Sequence, residues 1–311
     1  MALNNPAFSN PAFQDPKAVQ TYPGGRQAAS LTPPPAPTQS STAQRAGTDA
    51  AAQAHLEGMY AAPPAGAIET GRMSVEDTVW KTVGLFAVLV AFAAVGWVWT
   101  LGGTSTTAPG QISILPWILG ALGGFVLSLV VIFTSRKKIR PALIFAYAAF
   151  EGLFVGGISA FFEVQWEGIV LQATLATLSV VGVTLALFAS GKIRASKRAT
   201  KIFLIAMVGY LVFSLINIVL MMFNAPIAGG AFGMLSNESP LFGIPWGVLI
   251  GVFVVIMAAY SLVLDFDNIQ QGVRNGAPRQ YGWLGGFGIM VTVVWLYVEI
   301  LRIIAIARGD N

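Results

Sequence analysis

Seven runs of predominantly apolar residues, each near twenty residues long, constrain this chain more than any other feature. They fall at about residues 79–101, 112–134, 142–162, 169–189, 202–223, 245–264 and 284–306. A helix needs about 20 apolar residues to cross the hydrocarbon of a bilayer, and it satisfies its own backbone hydrogen bonds there. The alternative, a set of buried helices in a soluble domain, would need a charged coat. Only 10% of the residues are charged and 55% are hydrophobic, whereas a soluble domain carries charge on about 25% of its residues. The solvent for most of this chain is therefore lipid. The fold class that follows is all-α, a polytopic membrane protein with seven transmembrane helices. Trp80, Trp117, Trp166, Trp246 and Trp283 stand at edges of the runs, where interfacial aromatic residues belong.

Residues 1–74 read differently. They are rich in Ala, Pro, Gly, Gln, Ser and Thr and poor in aliphatic residues, so they cannot bury enough apolar surface to offset the entropy of ordering. We expect a disordered cytoplasmic tail at 1–74 and a seven-helix membrane domain at 75–311. The tail lacks the positive start running into an apolar core that marks a signal peptide. Its near-duplicate NNPAFSNPAF at 4–13 is either a docking motif carrying Phe8 and Phe13 or plain low-complexity sequence. Order is expected to begin near MSVEDTVWKT, with Ser74 as a helix N-cap and Glu76 and Asp77 in the first turn.

The links between runs alternate in charge. SRKKIRP at 135–141 holds four basic residues and SGKIRASKRATK at 190–201 holds five. The sixth link carries Arg274 and Arg279, while the links at 102–111, 163–168 and 224–244 hold no basic residue. The positive-inside rule then predicts a cytoplasmic N-terminus and a C-terminus outside. The formal surplus of +4 is thereby topological, and a nucleic-acid role, which needs a basic folded domain, is excluded. The chain has no cysteine and a single histidine, His55, in the tail. Disulfides, thiolate metal sites and histidine chemistry inside the bundle are therefore excluded, and no tightly bound cofactor is expected. The 224–244 link is long enough for a lid or a re-entrant segment, or it is an exposed connection. Its Asn237-Glu238-Ser239 has the form of a glycosylation acceptor.

The candidate functional residues are the few acids inside the runs. Glu151 sits near the middle of the third, in IFAYAAFEGLFVGG. Carboxylates at that depth face the bundle interior, where they pair or handle ions; a structural hydrogen bond is the competing account. Gly152, Gly156 and Gly157 read as close-packing positions. Asp265 and Asp267, in LVLDFDNI at the end of the sixth run, point in different directions on a helix. Their place against the helix dipole invites a partner such as Arg140, Arg274 or Arg279. They are either a gate or an interfacial end of the span. Glu299, in VVWLYVEILRII, has Arg302 three residues on, so the simplest account is a local pair; a sharper one pairs Glu299 with Glu151 across the bundle. Counted from span centres, Asp265 and Glu299 should differ by about 20 Å in height, too far for one site. Asn217, Gln172 and Thr174 are secondary candidates. No metal ligand set is identified.

Four segments, AAFEGLFVGGIS at 148–159, IVLQATLATLSV at 169–180, LDFDNIQQGVRNGAP at 264–278 and VTVVWLYVEILRII at 291–304, resemble the Bax-inhibitor family, most of all its actinobacterial branch. The resemblance covers about residues 75–308. It implies six helices around a central seventh and a pH-sensitive calcium leak in a bacterial plasma membrane, with protons and calcium as the ions handled. It also implies contact with a membrane protease. In the family a pair of aspartates between the last two helices exchanges partners with an arginine. Asp267 matches the first through its Phe-Asp context, Gly288 stands about where the second is expected, and Arg136 and Arg140 lie outside the spans. Two functions follow for comparison: a passive pH-modulated cation leak, or a regulator that binds another membrane protein and moves no ions. An intramembrane enzyme is disfavoured, since neither a histidine ligand set nor a second close aspartate is found.

Overall fold

The computed structural model describes residues 71–102, 112–223, 225, 232–239 and 243–309. Most of the proline-rich tail, with Phe8, Phe13 and His55, lies outside the described residues. Within them the chain forms seven helices long and apolar enough to cross a membrane. They are α1 (Val75–Thr100), α2 (Leu115–Ser135), α3 (Pro141–Gln165), α4 (Ile169–Ala189), α5 (Lys197–Met222), α6 (Trp246–Arg274) and α7 (Tyr281–Arg308), with a short 3-10 turn at Gly233–Ser236 before α6. The protein is thus an all-α, seven-helix, multi-pass membrane protein.

The helix starts follow local chemistry. Ser74 caps α1, its hydroxyl accepting from the Asp77 N–H at 3.1 Å, which is worth about 1 kcal/mol. Proline occupies the first turn of both α2 and α3, where its missing N–H costs nothing. Glu163, at the end of α3, folds over the start of α4. Its two carboxylate oxygens accept from the N–H groups of Gly168 at 2.7 Å and Val170 at 3.0 Å. Those donors have no partner inside the helix. Gly168 has φ +77°, a conformation that needs glycine for the sharp entry.

Packing grades the helices from centre to rim. The central α7 is the most buried and packs against α1, α3, α4 and α6, whereas α5 packs lightly, mainly against α6 and the 3-10 turn, and reaches α7 through Tyr210. α1, α2, α4 and α5 turn apolar faces outward, among them Leu122, Phe125, Leu171, Ile202 and Ile205. Such a surface would aggregate in water and is the expected one against lipid. α3 joins α1 and α2 through a glycine seam. A Cβ on Gly156 would overlap the Ala93 carbonyl, and one on Gly157 would come within 2.7 Å of the Trp117 nitrogen. Backbone contact this close is the usual role of small residues between membrane helices.

Two differences from the sequence expectation matter. The sixth run ends at about residue 264, yet α6 continues to Arg274. Asp265 is therefore inside the helix rather than at its end, and is fully buried in protein. The 224–244 link is also folded back in part. Asn217 of α5 donates to the Phe232 carbonyl at 3.0 Å and accepts from the Met234 N–H at 2.8 Å, and Leu235 is buried. The Ser239 of the glycosylation-like triplet is buried as well.

Candidate functional site

Among the described residues, Asp265, Glu299 and Glu151 lie within the bundle, each with a separate set of partners. Asp265 is 0% exposed and faces α7, where Thr292, itself 3% exposed, donates its hydroxyl to Oδ2 at 2.6 Å. Thr292 is one helical turn beyond Gly288, on the same side of α7. Asp265 is thus an acid that bonds directly to the central helix. Asp267 is partly buried and accepts from Gln271 of its own helix at 2.7 Å. The two aspartates do point apart, as their spacing requires. Beside them Asn268 is buried, and among the described residues its Nδ2 has no hydrogen-bond partner.

Glu299, 4% exposed, lies two turns further along α7. It forms an ion pair with Arg302 and accepts from the Tyr210 hydroxyl of α5 at 3.1 Å. Arg302 in turn donates to the Tyr210 oxygen at 2.7 Å. The triad is closed, so Glu299 is the locally paired carboxylate of the simpler expectation, with a tyrosine added. Gly251 of α6 lies beside it and makes room for Ile303 of α7, whose Cγ1 a Cβ there would meet at 2.3 Å.

Glu151 has neither Glu299 nor an arginine beside it. Its carboxylate accepts from the Tyr147 hydroxyl and lies over Gly124 of α2, where a Cβ would come within 2.9 Å of Oε2. The ring of Tyr147 packs edge-on against Phe287 of α7, with centroids 4.9 Å apart. The structure does not bring Glu151 and Glu299 together. It does draw Asp265 and Glu299 closer in height than their span centres suggested. Thr292 and Glu299 are seven residues apart on α7, a rise of about 10 Å. The earlier figure failed because it placed the centre of α6 too far from Asp265.

Of the arginines proposed as charge partners, Arg302 holds Glu299. Arg274 turns back to the Gln270 carbonyl at 3.3 Å. Arg140 is exposed at the start of α3. Arg279 reaches α1, where Nε and Nη2 donate to Asp77 Oδ1 at 3.0 and 2.8 Å. Those bonds hold its guanidinium above its already high ordinary range. Lys81 joins the group, ion-pairing with Asp77 and donating to the Arg279 carbonyl at 2.7 Å. Residues 71–73 are stitched to the same loop, Met73 N–H to the Ala277 carbonyl at 2.7 Å and Arg279 N–H to the Gly71 carbonyl at 2.9 Å.

The secondary candidates are bundle fasteners. Gln172 accepts from Arg308 at 2.9 Å, and Thr174 bonds Tyr297, whose hydroxyl lies 2.6 Å from Ser159. Tyr297 and Ser159 also floor an apolar groove of about 570 Å³ between α1 and α4. Neither Asp265, Glu299 nor Glu151 lines it. Sequence reasoning missed Thr292, Tyr147, Tyr210 and the Asp77–Arg279 contact. Thr292 and Tyr210 lie on other helices and Arg279 on a distant loop, so only packing reveals them, whereas the i, i+4 spacing of Tyr147 and Glu151 was a signal that could have been read.

Comparison with known proteins adds one finding. A family model described as Bax inhibitor 1 like matches residues 5–309. The match reaches well into the tail, beyond the 75–308 covered by the resemblance read from the sequence. Neither a curated protein nor a solved structure matches the chain.

Proposed function

The chain belongs to the Bax inhibitor 1 like family, and from that premise we propose that it is a passive, pH-modulated cation leak with calcium as the ion. The family is one of channel-like, non-catalytic membrane proteins. The observation that carries the reading is the burial of Asp265 between α6 and the central α7, hydrogen-bonded to Thr292. An ionised carboxylate only accepts hydrogen bonds, whereas a protonated one also donates. Proton gain at Asp265 would end the charge-assisted bond from Thr292 and change how α6 sits on α7. Asp267 and Gln271 flank it on its own helix, and the Glu299–Arg302 pair lies two turns outward on α7. Under the positive-inside rule the basic end of the bundle is cytoplasmic.

The test is calcium efflux from liposomes holding the purified full chain, stepped across neutral pH. The wild type should leak in a pH-dependent way. Asp265→Asn, which keeps the shape and the acceptor but cannot titrate, should leak at a rate that pH no longer changes. An Asp265→Asn profile identical to wild type would remove Asp265 from the mechanism. Absence of flux in folded wild-type protein would remove the leak itself.

A second reading, a regulator that binds a membrane protease or another membrane protein, draws on the family match beginning at residue 5. That match makes the tail part of the shared sequence rather than an appendage. Copurification from native membranes should then be lost on deleting residues 1–70, with the helices left intact.

A further inference from the structure

We propose that the pocket between the α2–α3 and α6–α7 loops binds a phosphate-bearing anion, the headgroup of an acidic phospholipid. The pocket encloses about 490 Å³ and is lined by Lys137, Lys138, Ile139, Pro278, Arg279 and Tyr281, among others, with no acidic residue. The side chains of Lys137 and Lys138 are exposed and make no ion pair or hydrogen bond among the described residues. The neighbouring carboxylate, Asp77, is already held by two cations, Lys81 and Arg279. Arg279 spends Nε and Nη2 on Asp77, and among the described residues its Nη1 donors are left to turn to an anion. Among the described residues the positive charge at this site is therefore uncompensated.

The pocket is also built rather than incidental. Its floor is Ile139 and Tyr281, both buried, and one wall is fixed by the backbone bonds that join residues 71–73 to 277–279. It lies at the ends of α2 and α6 and the starts of α3 and α7, hence at headgroup level rather than in hydrocarbon. Basic pockets between membrane helices at this level take anionic headgroups. The volume leaves room for a phosphate and a polyol attached to it, and lipid chains could lie along the neighbouring apolar helices.

The experiment is native mass spectrometry of the full chain released from detergent and titrated with phosphatidylglycerol, with phosphatidylcholine of the same chains as reference. Phosphatidylglycerol should be retained in preference. The double variant Lys137→Gln/Lys138→Gln, which keeps Arg136 and Arg140 for topology, should bind it about thirtyfold more weakly, from about 1 kcal/mol per basic residue near an anionic surface. A control, Lys192→Gln/Lys197→Gln, removes the same charge from the same end of the bundle outside the pocket and should bind like wild type. Equal loss in the control would mean general surface attraction and overturn the site, as would equal retention of the two lipids. Competition by millimolar inorganic phosphate, abolished in the Lys137/Lys138 variant, would keep the site and identify free phosphate as a source. Each variant is first shown to elute and melt like wild type, and a variant that does not is replaced by the single substitutions.

Discussion

At the scale of single residues, the strongest commitment in the molecule is the closed group Glu299, Arg302 and Tyr210. A buried ion pair stabilises little over an apolar pair of the same volume, but removing one member strands the other charge at a cost of about 3–5 kcal/mol. Arg302→Met should therefore lower the denaturation midpoint in detergent sharply, while Glu299→Gln with Arg302→Met should recover much of the loss. If the double variant is no more stable than Arg302→Met, Glu299 is not the stranded group. The pair itself was legible in the sequence, because residues three apart share a helix face. Tyr210 was not, since nothing in a run of apolar residues says which polar ring will meet a helix 89 positions later. Asp265 shows the same limit. Its burial depends on where α6 ends, and its partner Thr292 is an ordinary residue until α7 is packed against it.

At the scale of the helix, length and apolarity made all seven spans legible, and the cap at Ser74 gave the start of the first. The end of α6 was hidden because hydropathy falls after Leu264 while the helix goes on. Asp265, Asn268 and Ile269 are covered by neighbours rather than by lipid, and burial inside protein does not require an apolar run. The glycine seam of α3 was legible as a pattern, but only the structure assigns its two sides. Gly156→Ala should destabilise by about 1–3 kcal/mol or more, because its Cβ meets backbone that cannot swing aside. Gly182→Ala on α4, where a Cβ meets nothing within 4 Å, should be neutral or stabilise by up to about 1 kcal/mol through helix propensity. Thermal melts of the two variants in the same detergent compare them directly. Equal midpoints would mean that α1 and α3 can separate without cost.

At the scale of the whole molecule, the chain is closed on itself at its basic end. The segment entering α1 pairs with the loop between α6 and α7, so the exit of the tail, the start of the central helix and the proposed anion pocket share one clamp. Among the described residues its acid is Asp77, facing Lys81 and Arg279. Arg279 stays charged at every accessible pH, so the charged part of the clamp can be undone only by a proton on Asp77. Acid should therefore loosen it, and Asp77→Asn should mimic acid at neutral pH. The amides that report this are those of Met73 and Arg279, which donate across the clamp to the Ala277 and Gly71 carbonyls. Hydrogen exchange of the full chain in detergent should show their protection factors falling in Asp77→Asn, and in wild type as pH is lowered, with mid-α1 amides unchanged. Protection factors are the proper measure because the intrinsic exchange rate itself changes with pH. A fall confined to these amides would mean that the side-chain pairs keep the entry segment closed over the end of α7. Unchanged protection would mean that the backbone bonds and the buried Met73 side chain close the ring unaided, leaving Asp77 no part in coupling pH to the tail.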